Sequence, residues 1–294
     1  MIWASGWRLA SAVSNAGGLG LLGAGSMYPN VLREHIQKCK AATDQPFGVN
    51  VPLLYPDIDQ LMNIIVEEKV PIVFTSAGNP KTWTGFLKDQ GIKVVHVVSS
   101  SKFAKKAEEA DCDAVVAEGF EAGGHNGREE TTTMVLIPAV RAAVNIPVIA
   151  AGGIATGTQM LAAMVLGADG VQVGSRFVCT PEASSHPSFK EAIVQASEGD
   201  TQLAMKKVVP VRLLKNKFAE EIKAAELRGA SEEELKQILG RARAKKGMFE
   251  GDMDEGELEI GQVSALIHEI KPAAAVVEEM IKEYEMKFEN LKMW

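Results

Sequence analysis

Short apolar segments alternate along the chain with segments of helical periodicity. Seven apolar segments begin at Gly18, Phe47, Ile72, Lys93, Ala114, Pro147 and Gly170, with glycine, serine or asparagine at or near the end of each. Continuous apolar runs are typical of strands buried on both faces, as in a parallel sheet. The intervening segments, such as 30–43 and 102–111, have the polar and apolar spacing of amphipathic helices. The pattern therefore predicts repeated βα units around a parallel sheet.

A closed barrel of this kind requires eight strands, and the pattern supplies seven. A helix pattern over residues 6–15 precedes the first of them. The predicted fold class is a (β/α)8 TIM-type barrel that lacks its first strand, with the expectation that a strand precedes Met1. An open, doubly wound sheet is the alternative.

The composition changes after about Gln202. Residues 213–246 are rich in helix-forming Ala, Glu, Lys, Leu and Arg, and Ser231 stands three positions before Glu234, the spacing of a capping box. A Gly- and acid-rich connection over 246–262 precedes a final predicted helix at 263–291. The domain prediction is a barrel over 1–200 and a helical extension over 201–294, packed on the barrel rather than independent.

Charge and cysteine content narrow the functional classes. The 294 residues carry a formal net charge of −7 without a basic stripe, which argues against a nucleic-acid partner. No segment approaches the ~20 apolar residues of a membrane span, and Arg8 interrupts the apolar N-terminal run before it reaches signal-peptide length. The three widely spaced cysteines have no metal-ligand spacing and indicate reduced thiols. We therefore expect a cytoplasmic protein without a metal site.

Glycines and small polar residues at strand ends indicate a phosphate site. In such barrels ligand groups come from the C-terminal ends of the strands. Two neighbouring ends offer free backbone N–H groups and a hydroxyl, and they comprise Ala151, Gly152, Gly153, Gly174 and Ser175. The alternative is a pair of ordinary glycine turns.

His125 follows Gly123 and Gly124 just beyond the fifth apolar run, where an imidazole would exchange protons near neutral pH. The alternative is an imidazole that caps a turn. Glu118 and Glu121 would orient that ring or bind a hydroxyl, or be solvated turn acids. Asn50, at a strand end, would bind a planar ligand edge or cap a turn. The other sequence candidates are Arg176, for phosphate or a surface ion pair, and four histidines with structural interpretations: His35 in a helix, His96 in a buried strand, His186 in a loop and His268 in the final helix.

Six motifs in order resemble a known family. The segments AVSNAGGLG, PFGVN, TSAGNP, EGFEAGGHNG, PVIAAGGI and GADGVQVGSRF are similar to those of nitronate monooxygenases and the FMN-dependent enoyl-ACP reductase II, and the resemblance spans nearly the whole chain. It implies an FMN-containing barrel with the phosphate on Gly152, Gly153, Gly174 and Ser175. It places the flavin ring near Met1, Asn50 and the backbone of Ala122, Gly123 and Gly124, and His125 beside the substrate as the catalytic residue.

The resemblance implies two alternative activities. In the reductase, reduced flavin transfers a hydride to an enoyl thioester and His125 assists proton delivery. In the monooxygenase, His125 is the base that handles an alkyl nitronate. PFGVN, TSAGNP and the long polar insert are closer to the reductase branch, so an NADH- or NADPH-dependent enoyl-ACP reductase of fatty acid biosynthesis is predicted, with an acyl-carrier-protein thioester as substrate. A homodimer through the helical extension is expected, and a truncated, flavin-free scaffold is the alternative from another functional class.

Overall fold

The computed structural model describes residues 1–291 and contains two sheets. Its strands are β1 Gly20–Gly23, β2 Phe47–Pro52, β3 Ile72–Ser76, β4 Lys93–Val98, β5 Ala114–Glu118, β6 Gly124–His125, β7 Val148–Ala151, β8 Gly170–Gln172, β9 Thr201–Ala204 and β10 Val211–Leu214. Its helices are α1 Trp7–Asn15, α2 Pro29–Ala42, α3 Ile58–Glu67, α4 Thr84–Asp89, α5 Ser101–Glu109, α6 Thr133–Arg141, α7 Gly157–Val165, α8 Ser175–Val178, α9 Pro187–Val194, α10 Lys217–Leu227, α11 Glu232–Leu239 and α12 Ala273–Leu291. The predicted βα alternation is confirmed.

The larger sheet has the strand order β1-β2-β3-β4-β5-β7-β8, and every neighbouring pair is parallel. It curls as a TIM-type barrel sheet does, which confirms the predicted fold class. In register, Glu118 lies opposite Ala151, and Ala151 lies opposite Gln172. The C-terminal ends of β5, β7 and β8 therefore meet at one edge.

Both faces of this sheet are covered, as continuous apolar runs predict. On one face, Phe74, Val95 and Val116 pack with residues of the neighbouring strands. On the other face, alternate residues such as Val49, Val73 and others of the same strands pack against the surrounding helices. Burial on both faces explains why the strands show no polar alternation in the sequence.

The smaller sheet was missed by the sequence analysis. It is antiparallel, with the order β6-β10-β9. The helical interpretation after Gln202 is therefore incomplete, because Thr201–Ala204 and Val211–Leu214 are strands. Each of these two strands contains a polar residue, Gln202 or Arg212, so neither has the continuous apolar run by which the parallel strands were recognised. This sheet connects the region after β8 with the segment that follows β5.

The final helix begins later than predicted. Residues Gln262–Leu266 form a 3-10 helix, and α12 starts at Ala273, so the prediction of a helix from 263 is wrong. His268 consequently lies outside the helix. The capping prediction is confirmed, since the Ser231 hydroxyl accepts a hydrogen bond from the Glu234 amide at 3.2 Å. α12 packs against α7 and α1. A helix with the length and apolar character of a membrane span is absent from residues 1–291.

Candidate functional site

An open cleft lies at the C-terminal ends of β5, β7 and β8. It contains about 790 Å³ of space outside protein atoms, and part of this space is open to solvent. Ten residues that the sequence predicted line it, namely Met1, Glu118, Glu121, Ala122, Gly123, Ala151, Gly152, Gly153, Gly174 and Ser175. The sequence analysis missed further lining residues, including Ile2, Gln172, Met248, Glu259, Ile260 and Val263.

The turn after β7 depends on glycine conformations. Gly152 has φ +86° and Gly153 has φ +71°, values that residues with a Cβ rarely adopt. A Cβ on Gly152 would lie 2.8 Å from the Gly119 carbonyl oxygen, so this turn packs directly on the segment after β5. The turn therefore presents backbone, rather than side chains, to the cleft.

The turn after β8 lies beside the Met1 side chain. Around a Cβ placed on Gly174, the nearest atoms belong to the Met1 side chain at 3.7 Å. Gly174 precedes α8, and the Ser175 hydroxyl accepts a hydrogen bond from the Gly261 amide at 3.0 Å. That hydroxyl keeps its own proton for a further acceptor. The two glycine turns thus line the cleft from adjacent strand ends.

Two polar side chains that line the cleft, those of Glu118 and Gln172, have polar atoms that are shielded from water. Burial raises the pKa of Glu118 to about 7, so a large fraction of this carboxyl is neutral at neutral pH. Within residues 1–291, the buried Oε1 of Gln172 has no hydrogen-bond partner. The cleft therefore offers unused hydrogen-bonding capacity to a polar ligand.

Gly123 and Gly124 allow a close approach of protein backbone. A Cβ on Gly123 would lie 2.4 Å from the carbonyl carbon of Ile260, and one on Gly124 would lie 2.7 Å from Oε2 of Glu259. Gly124 also has φ +77°. The glycine pair therefore brings segment 259–261 against the segment after β5, and this explains how Glu259 and Ile260 reach the cleft.

Three predicted site residues do not line the cleft. His125 is exposed on β6 opposite Val211. Gly124 precedes it, and Asn50 lies on β2 between Gly23 of β1 and Phe74 of β3. His125 nevertheless stands two positions after Gly123, which does line the cleft. It is therefore adjacent to the cleft along the chain.

Asn126 and Arg212 fix the segment that carries His125. The Asn126 side-chain amide donates to the carbonyl oxygens of Ala122 at 2.9 Å and Gly124 at 3.0 Å. The buried Arg212 guanidinium stacks over the Phe120 ring at 4.4 Å and donates to the Phe120 carbonyl at 3.0 and 3.1 Å. Burial lowers the pKa of Arg212. No sequence motif marked Arg212, because its importance depends on the pairing of β10 with β6.

Two other charged candidates have structural partners. The Glu121 carboxylate accepts hydrogen bonds from the amide and hydroxyl of Thr133, each at 2.9 Å, at the start of α6. It is thus neither a solvated turn acid nor a partner of the His125 ring. Arg176 is buried and donates to the Glu269 carbonyl at 3.0 Å. The predicted phosphate or surface role of Arg176 is therefore replaced by an internal contact.

Three of the remaining histidines have the structural roles expected of them. Buried His96 contacts the Thr75 hydroxyl at 2.7 Å, and burial lowers its pKa to about 4. Nδ1 of His35 accepts from the Trp7 amide, and Nδ1 of His186 accepts from the Ser188 amide, both at 3.2 Å. No histidine lines the cleft within residues 1–291, and His125 is connected to it along the chain through Gly123.

Within residues 1–291, the buried thiols and the acidic side chains form neither a second catalytic site nor a metal site. Burial raises the pKa of Cys39 to about 12 and that of Cys179 to about 11, which makes both poor nucleophiles at neutral pH. Over residues 1–291, no group of three or more His, Cys, Asp or Glu side chains is arranged to hold a metal ion.

Comparisons with known proteins agree with this architecture. A profile of the family described as nitronate monooxygenase matches residues 1–62 and 54–283. A solved structure, FabK from Thermotoga maritima, superposes with a TM-score of 0.94 and 45% identity, covering 99% of this chain and 93% of that one. A probable nitronate monooxygenase of Bacillus subtilis is 32% identical over 306 residues, 90% of this chain and 88% of its own length.

A further relative is named (3aS,4S,5R,7aS)-5-hydroxy-7a-methyl-1-oxo-octahydro-1H-indene-4-carboxyl-CoA dehydrogenase, from Rhodococcus jostii. It is 36% identical over 206 residues, 70% of this chain, and the match spans 58% of that relative's length. The family profile covers most of the chain and includes every element that builds the cleft. The chain therefore belongs to the nitronate monooxygenase family of flavin oxidoreductases.

Proposed function

We propose that this chain is an FMN-dependent enoyl-ACP reductase that uses NADH or NADPH and acts on an enoyl thioester of acyl-carrier protein. The observation that carries the proposal is the 45% identity to FabK over 99% of this chain, since FabK represents the enoyl-ACP reductase II branch. The PFGVN and TSAGNP segments support the same branch. When bound, FMN carries electrons between the pyridine nucleotide and the thioester.

The residues of the cleft fit FMN. The glycine turns at Gly152–Gly153 and Gly174 would hold the phosphate through backbone N–H groups, with the Ser175 hydroxyl as an additional donor. No lysine or arginine is among the described residues that line the cleft, so peptide groups would carry the phosphate interaction. The orphaned Oε1 of Gln172 would accept from a ribityl hydroxyl.

Glu118 and His125 would manage protons. Because burial raises the pKa of Glu118 to about 7, its neutral carboxyl would donate a hydrogen bond to a bound ligand without adding a negative charge beside the phosphate. The exposed imidazole of His125, two positions after the lining residue Gly123, would deliver a proton to the thioester substrate. Met1 and Ala122, which line the cleft, would complete the surroundings of the ring.

Nitronate oxidation is the second candidate, and the family profile and the Bacillus subtilis relative favour it. In that reaction His125 would be the base that makes or handles the alkyl nitronate, and molecular oxygen would be the oxidant. The two candidates share the flavin cleft and differ in the electron source and the substrate.

The test is anaerobic reduction of the FMN-loaded protein by NADH and by NADPH, monitored by the loss of flavin absorbance. Crotonyl-ACP or crotonyl-CoA is then added, and a parallel sample in air receives propyl-2-nitronate. Rapid reduction followed by reoxidation with the enoyl thioester is expected. Negligible reduction by either nucleotide, with turnover of the nitronate in air, would refute the reductase and support the monooxygenase. A protein that binds no flavin would refute both.

A further inference from the structure

α12 is attached directly to the start of α7. The Glu283 carboxylate accepts hydrogen bonds from the Gly157 amide at 2.9 Å and from the Thr158 hydroxyl. A Cβ on Gly157 would lie 2.1 Å from the Met280 carbonyl oxygen, so the two helix backbones touch at this crossing. Glu283 thus caps the first turn of α7 from a position far along the chain.

The opposite end of α12 is attached to the segment after α8. Both carboxylate oxygens of Glu182 accept from the Ala273 amide at 3.1 Å. The Lys271 amide donates to the Cys179 carbonyl at 3.2 Å. α8 itself begins at Ser175, directly after Gly174. α12 is therefore bonded to the elements that follow each of the two glycine turns.

Hydrogen bonds continue from the first turn of α7 to the glycine turn. Oε1 of Gln159 accepts from the Ala155 amide at 2.8 Å, and the Thr156 hydroxyl accepts from the Gln159 amide at 3.2 Å. Ile154 and Ala155 are buried, each 5% exposed. Two residues separate Ala155 from Gly152, so displacement of the first turn of α7 would be transmitted to the turn.

We propose that α12 is a positioning helix for the cofactor phosphate, with Glu182 and Glu283 as the residues that fix the two glycine turns relative to each other. The inference rests on the proposed function, in which FMN occupies the cleft. β7 and β8 are only four and three residues long, and their pairing ends at Ala151 and Gln172, before either glycine turn. The attachment of α12 supplies the constraint beyond that point.

The experiment compares binding of FMN with binding of riboflavin, which has the same ring and ribityl chain but no phosphate. Kd is measured from the change in flavin fluorescence for the wild type, Glu283→Ala and Glu283→Gln. Glu285→Ala, at an exposed position of the same helix, is the matched control. We expect Glu283→Ala to weaken FMN binding about tenfold, because the lost cap holds the first turn of α7 and the free-energy contribution of a helix cap is of this size. Riboflavin binding should change less than twofold.

Glu283→Gln retains acceptor oxygen and should restore most of the FMN affinity, and Glu285→Ala should match the wild type. If Glu283→Ala leaves FMN affinity unchanged, or weakens both ligands equally, the positioning role is wrong although the proposed function stands. A wild-type protein that binds neither ligand overturns the proposed function and this inference together. If Glu283→Ala does not fold, Thr158→Val removes one of the two bonds, and an unchanged ratio of FMN to riboflavin affinity in that variant overturns the inference.

Discussion

Replacing Gly152 by Ala tests whether the turn after β7 needs glycine. The substitution forces a side chain into a left-handed conformation at φ +86°, which costs about 1–2 kcal/mol. The added Cβ would also lie 2.8 Å from the Gly119 carbonyl oxygen and 3.2 Å from the Gly119 amide nitrogen. Both neighbours are backbone atoms, so the contact is relieved only by moving the chain, which adds about 1–3 kcal/mol.

The expected loss in the free energy of unfolding is therefore about 2–5 kcal/mol. Urea denaturation followed by far-UV circular dichroism measures it. Gly85→Ala is the matched control, because Gly85 lies in α4 with no atom within 4 Å of an added Cβ. Alanine should stabilise that helix position by about 0.5–1 kcal/mol.

Gly152→Ala should also weaken FMN binding, because the displaced backbone includes Gly119 and the turn at Gly152 itself. A Gly152→Ala protein as stable as Gly85→Ala would refute the account of the turn. If Gly152→Ala is destabilised but binds FMN as tightly as the wild type, the turn contributes to stability and does not hold the cofactor.

Three other substitutions test individual side chains. His125→Ala should retain bound flavin and lose at least about 100-fold in turnover, whereas His268→Ala, at an exposed position outside the helices, should remain active; full activity of His125→Ala would contradict the proton-transfer role. Folding lowers the pKa of His96 from 6.5 to about 4, so the unfolded chain binds more protons in this interval and stability should fall as the pH is lowered from 6.5 toward 4, by about 3 kcal/mol. His96→Asn should lack this decrease in stability between pH 6.5 and 4. If the unfolding free energies of the wild type and His96→Asn change with pH in the same way, His96 is not the cause of the decrease. Burial, reinforced by the negative charge of Glu259, raises the pKa of Glu257 to about 8. Glu257→Gln should therefore be more stable than the wild type, by an amount that grows as the pH rises from 4.5 to 8, and equal unfolding free energies of the two proteins at pH 8.5 would contradict this reasoning.

The sequence predicted the features that depend on local chemistry. Strands buried on both faces need continuous apolar runs, and all seven parallel strands were found by that criterion. Left-handed turns favour glycine, and Gly152 and Gly153 have the positive φ values of such turns. The Ser231 cap needs only a hydroxyl three positions before an amide. In each case the physical requirement lies within a few residues.

The sequence could not predict features that depend on distant packing. Glu259 reaches the cleft because Gly123 and Gly124 leave room for segment 259–261. The sequence of neither segment predicts this contact. Gln172 stands between two valines and gives no local signal that it lines the cleft. The short strand β10 is recognised only through its pairing with β6, so the environment of His125 and the contact of Arg212 with Phe120 remained hidden.

The attachment of α12 to α7 also constrains how the chain reaches its native state during synthesis. The bond between Gly157 and Glu283 joins residues 126 positions apart. While the ribosome is still adding residues 273–291, α1 and α7 have no partner for the apolar surface that Ala273, Val276 and Met280 later cover. The nascent barrel therefore passes through a period with an uncovered apolar seam, when association with other chains competes with closure and chaperones have a surface to bind.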